Sequence, residues 1–167
     1  VTPFLVAEII QTLLPLPDVS IEGLKRAAAD AGWQVSVLME GVIEAEATYP
    51  VILDTTISPP IIVCPFWGVE EYDRSEWRQR LRVGFDAAID EVTESIAAPN
   101  VRGEWGRASW RYALWLGDEV VVALEETNYE NARVPFLAIA CASRAAWGED
   151  QHRGLTARLF SAPDDAD

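Results

Sequence analysis

Histidine, lysine and cysteine are scarce in this 167-residue chain: His152 is the only imidazole, Lys25 the only lysine, and Cys64 and Cys141 the only thiols. A His/Cys metal centre needs three or four such ligands, and a Ser or Cys nucleophile needs a base held against it, so zinc sites and hydrolytic triads have too few parts. No Gly-rich phosphate loop with a following Lys and no Gly-x-Ser-x-Gly turn occurs, which removes the usual nucleotide and hydrolase signatures. Both cysteines sit inside apolar runs, so a disulfide scaffold is not expected and the chain reads as one for a reducing cytoplasm. The apolar run Phe4 to Leu14 is short and contains Glu8, so it is expected to be neither signal peptide nor membrane span. No cofactor is implied.

Apolar residues make up 50% of the chain, with 7 Trp, 5 Phe and 4 Tyr, enough to bury a core without staples. One domain is expected over residues 1–160, followed by a frayed acidic tail at 161–167. The formal net charge is −14 and its distribution is uneven: residues 1–73 carry −9, residues 74–117 carry +1, and residues 118–167 carry −6. Direct capture of nucleic-acid phosphates is disfavoured by that balance, and a macromolecular partner is expected to be basic.

Periodicity predicts helices within residues 3–31: Thr2-Pro3 opens the first, Pro15 ends it, and a second runs from Asp18 or Ser20 to Gly32. From Trp33 the period is two, which predicts strands over 33–66: a hairpin turning at Glu40-Gly41, with Trp33, Val35 and Val37 inward, then extended segments Val51 to Thr55 and Ile61 to Cys64. Asp73-Arg74-Ser75-Glu76 reads as a capping box for a long helix over 74–98, whose apolar stripe is Trp77, Leu81, Phe85, Ala88, Ile89, Val92 and Ile96. Glu91 lies off that stripe and is expected to be a dispensable surface group. A loop then leads to strands over 109–142, with a turn at Gly117-Asp118 and another at Asn128 to Arg133. The fold class is α+β, a single domain with a mainly antiparallel sheet from two hairpin units, a long central helix, and N-terminal helices packed on one face.

Paired acids recur, but glycoside hydrolysis needs two carboxylates about 5 to 10 Å apart in a cleft, and sequence adjacency does not supply that. Oxygen-only binding of Mg²⁺ or Ca²⁺ by Glu70, Glu71 and Asp73 is weighed against a plain loop entering a helix, and the loop is favoured because the calcium-loop pattern is absent. No catalytic residue and no metal ligand is therefore nominated. Candidate partner-binding patches are Glu44 and Glu46 on the polar face of one strand, Glu70, Glu71 and Asp73 in a loop, and Glu125, Glu126 and Glu130 around a turn. Trp115 shares a strand face with Arg111 and is expected to be an exposed anchor, as are loop residues Trp67 and Trp105.

Gly32-Trp33 after a helix, the Pro-rich segment Ile61 to Gly68, the long helix ending in Ala98-Pro99-Asn100, and the hairpin Arg111 to Glu126 followed by Val134 to Cys141 together resemble small actinobacterial domains. These are similar in plan to immunity proteins of bacterial polymorphic and contact-dependent toxin systems, with coverage from about Ile21 to Ala142. The resemblance implies a non-enzymatic cytoplasmic inhibitor that covers a cognate toxin, often a nuclease, with an acidic surface. The alternative is a secretion-chaperone-like or scaffold domain that dimerises or binds a segment of a secreted protein by strand addition.

Overall fold

The computed structural model describes residues 3–68, 76–128 and 135–147. Its elements run α1 (Ala7–Leu13), α2 (Ile21–Ala31), β1 (Gln34–Met39), β2 (Val42–Glu46), β3 (Pro50–Asp54), β4 (Ile61–Gly68), α3 (Trp77–Ser95), β5 (Val101–Trp105), β6 (Trp110–Leu116), β7 (Val120–Asn128), β8 (Pro135–Ser143) and α4 (Arg144–Trp147). All eight strands form one antiparallel sheet in the order β1-β2-β3-β4-β8-β7-β6-β5. Two four-strand meanders, each preceded by a helix, thus meet through their last strands. Ile61 pairs with Ala142 and Cys64 with Ile139 across that seam.

The α+β class, the long helix and the N-terminal helices agree with the sequence reading. Ser20 caps α2 by accepting a hydrogen bond from the Gly23 amide, and Gly32 ends it in the left-handed region at φ 78°. On α3 the stripe Leu81, Phe85, Ala88, Ile89 and Val92 is buried, whereas Trp77 is half-buried and stacks on Trp110 with ring centroids 5.9 Å apart. Register places Leu137 and Ile139 of β8, Leu124 and Val122 of β7, and Cys64 and Ile62 of β4 on the same side of the sheet. That is the helix side, since a Cβ on Gly84 of α3 would lie 3.3 Å from Leu137. The opposite side of β8 carries Ala138, Ala140 and Ala142, all buried, so the central strands read as continuous apolar runs rather than alternating ones.

Several boundaries differ from expectation, each for a physical reason. The first helix starts at Ala7 rather than Pro3, because Leu5 takes φ 61° and kinks the chain. The kink delivers the Phe4 and Val6 amides to the two carboxylate oxygens of Glu91 on α3, each at 2.8 Å. Glu91 therefore caps α1 from a distance, which corrects its reading as a dispensable surface group. Strand β5 falls in a region read as loop: Arg102, Gly103 and Glu104 are poor strand formers, and pairing with β6 recruits them. Gly103 is small for a reason, since a Cβ there would sit 2.5 Å from the Tyr112 hydroxyl. The capping box rested on Asp73 to Ser75, which lie outside the described residues, as do the turn residues Tyr129 to Val134 and the tail from 161 to 167.

Candidate functional site

Among the described residues, the structure exposes one of the candidate patches. Glu44 and Glu46 lie on the sheet side opposite the one shared by Ile43, Ala45 and Leu53, with Glu46 exposed and Glu44 half-buried. Register sets Ser36 and Ile52 to either side of Glu44, Gln34 and Pro50 to either side of Glu46, and Asp54 beside Val42. The Asp54 carboxylate accepts hydrogen bonds from the Thr56 amide at 2.8 Å and the Thr56 hydroxyl at 2.5 Å, which fixes the turn after β3. Glu44, Glu46 and Asp54 therefore form a carboxylate face across β2 and β3. From Ala27 to Gly68 the sequence has five acidic side chains and no Lys, Arg or His, so no cation within this stretch offsets that face.

The second patch is corrected. Glu125 and Glu126 lie on β7, 0% and 2% exposed, and not around a turn: the strand continues to Asn128 because its pairing with β8 extends to Pro135. Glu126 accepts from Arg111 Nε at 2.8 Å and from the Arg111 amide at 3.0 Å, while Arg111 Nη1 bonds Asp86 Oδ1 of α3 at 3.1 Å and the guanidinium lies 4.6 Å over the Phe85 ring. Arg111 thus ties sheet to helix, and both carboxylate oxygens of Glu126 are engaged by this one residue, one by its guanidinium and the other by its backbone amide, so Glu126 is a holding group rather than a contact for a partner. Glu70, Glu71, Asp73 and Glu130 lie outside the described residues.

Trp115 is likewise corrected from exposed anchor to core. It is 2% exposed and its indole N–H donates to the Ala97 carbonyl at 2.9 Å, anchoring the end of α3 to β6. Trp105 is buried on β5. Trp67 is half-buried and lines a groove of ≈ 500 Å³ with Phe4, Tyr49, Val83 and Gly84. Burial raises the Tyr49 phenol above its usual range, with the Glu91 charge adding to the effect. The Cys64 thiol is pushed up to about 12 and Cys141 higher still, both by burial, so these thiols are protonated and inert. Among the described residues, no cluster of three His, Cys, Asp or Glu side chains is placed to hold a metal ion, and no helix is long and apolar enough to cross a membrane.

Sequence reasoning missed the exposed apolar residues of β1. Val37, expected inward, is 69% exposed, and Leu38 and Met39 beside it are 51% and 63% exposed. Val37 does lie on the helix side, opposite Ile43, but the cover ends near half-buried Val35 and β1 runs on past it. Between Val37 and Met39 the register shifts by a bulge, which the break in alternation at Leu38-Met39 signals. No protein-family model, no curated protein and no solved structure matches the chain.

Proposed function

We propose that this chain is a non-enzymatic acidic binding protein that neutralises a basic protein partner. The partner class we favour is a toxin domain, as the resemblance to immunity proteins implies. The observation that carries this reading is the carboxylate face of β2 and β3 beside an apolar edge strand that exposes Met39 next to Val42 on that face, Leu38 at the bulge, and Val37 on the helix side. An apolar strip beside charge of one sign is the composition of a protein interface: the charge steers encounter and the strip supplies desolvation energy.

Affinity capture followed by association kinetics tests it. The recovered partner should be basic, and Glu44→Gln/Glu46→Gln/Asp54→Asn should slow association several-fold and flatten its salt dependence, while Val37→Ser should chiefly speed dissociation. An acidic partner, or a rate indifferent to salt, would refute the reading. The alternative, a secretion-chaperone-like or scaffold domain, draws on the exposed β1 strand and differs in what it expects to bind: a second copy of the chain, or a secreted segment irrespective of its charge.

A further inference from the structure

The two ends of the sheet are unlike. At one end β5 carries the exposed charges Arg102 and Glu104 with Gly103 between them, a composition that discourages another strand from pairing. At the other, β1 has the sequence Gln-Val-Ser-Val-Leu-Met, with no charge and no proline, and among the described residues it pairs with β2 alone. Its bulge lies at the Leu38-Met39 end, so the ladder stays regular from Gln34 to Val37. In a regular antiparallel strand every second residue turns both its N–H and its C=O outwards, so this stretch offers about four backbone hydrogen-bonding groups to a newcomer.

Side chains specify what that newcomer must be. On the helix side, rows run Val35–Ala45–Val51 and Val37–Ile43–Leu53; on the other side they run Ser36–Glu44–Ile52 and Gln34–Glu46–Pro50. A strand added beside β1 extends these rows, and its residues must alternate to match: apolar on the helix side, next to Val35 and Val37, and of positive charge on the other. Two strand spacings separate such a residue from Glu44 or Glu46, about 10 Å, which a Lys or Arg side chain spans and which salt screens only partly. A second copy of the chain is a poor occupant. Its β1 offers no positive group, and it would bring a second carboxylate face onto the same side of the joined sheet.

We propose that β1 is the docking edge of this protein, where an extended segment of the basic partner, alternating apolar and Lys or Arg residues, adds as a ninth strand through the backbone of Gln34 to Val37. This rests on the basic-partner reading above and specifies how that partner is held.

The test uses the full chain and a blocked peptide of alternating valine and lysine, about as long as β1, titrated by calorimetry at low and physiological salt. Three companions accompany it: the same peptide N-methylated at alternate backbone nitrogens in each of the two phases, and one with glutamine in place of lysine. Strand addition predicts that one N-methylated phase binds more weakly by about tenfold or more, as expected when one or two backbone hydrogen bonds go. It also predicts slowed amide exchange within 34–37. Of Ser36→Pro and Val37→Pro, the variant whose N–H points out of the sheet should keep the wild-type circular dichroism and lose the peptide. Equal binding of all N-methylated and unmodified peptides, still weakened by salt, would overturn edge docking and leave the acidic-face reading standing. Binding that needs the free backbone but ignores both salt and the lysine-to-glutamine change would overturn the basic-partner reading instead. Absence of any binding at millimolar peptide, or a dimer in sedimentation that Val37→Lys dissolves, would overturn this proposal.

Discussion

Replacing Glu91 by glutamine is the most informative single change to the fold. Helix α1 has seven residues, begins after Val6, and has no side-chain cap of its own, so by itself it is too short to persist. The Glu91 carboxylate supplies the cap from α3: one oxygen accepts from Phe4 N–H at 2.8 Å, and the other from Val6 N–H at 2.8 Å and Ala7 N–H at 3.5 Å. Its negative charge also faces the positive end of the helix. Hydrogen bonds to a charged group contribute about 1.5 to 3 kcal/mol each, and these are partly buried. Glutamine keeps one carbonyl acceptor, turns the other position into a donor facing a donor, and removes the charge; about 2 kcal/mol should be lost. Alanine leaves both amides without a partner and should cost about 3 kcal/mol. Urea melts give the totals, and amide exchange at Phe4 and Val6 should accelerate in both variants while Leu81 to Val92 stay protected at moderate urea. A Glu91→Gln melt within about 0.5 kcal/mol of the wild type would show that the kink at Leu5 holds itself and that the clamp is incidental.

Gly84→Ala should destabilise by about 1 kcal/mol in urea melts despite alanine's better helix propensity, since a Cβ there lies 3.1 Å from the Trp67 ring and 3.3 Å from Leu137; a stabilised variant would mean that Trp67 moves freely. Arg111→Met should cost about 3 kcal/mol by stranding buried Glu126, and adding Glu126→Leu should recover most of it, which a double-mutant cycle measures. The buried thiols should react with a thiol reagent at pH 8 only after unfolding. Because the folded state holds the Cys64 proton up to about 12, against an ordinary value of 9.0, stability should fall as pH rises above about 9, where the unfolded chain's thiols ionise, and Cys64→Ala/Cys141→Ala should lessen that fall.

Elements with a local cause were legible in the sequence. Ser20 and Gly32 bracket α2, and the spacing of Leu81, Phe85, Ala88 and Val92 writes out the buried face of α3. What failed were readings that needed knowledge of partners. Glu125 and Glu126 follow an apolar run and resemble a polar exit from a strand; only the pairing with β8, more than ten residues on, keeps them inside. Trp115 alternates out of phase with Trp110 and Leu114 and so reads as exposed, yet a strand buried on both sides has no outward phase, and α3 covers the second one. Val37 fails in the opposite sense, having an inward phase that the described elements leave largely uncovered. The carboxylates Glu44 and Glu46 were readable because β2 alternates in the simple way, half of it in contact with water.

The seam between β4 and β8 bears on how the chain is made. Of the described strands, the last to leave the ribosome is the one inserted at the middle of the sheet, pairing with β7 on one side and with β4, some seventy residues older, on the other. Until β8 arrives, β4 waits with the edge that Ile61 to Gly68 will later give to Phe136 to Ala142 open, its apolar residues unprotected from other nascent strands. The sheet cannot close progressively from its N-terminal end. A stall or truncation before residue 135 would leave the β1–β4 meander and an unfinished β5–β7 one with no strand to join them, which makes the emergence of β8 the committing step in assembling the sheet.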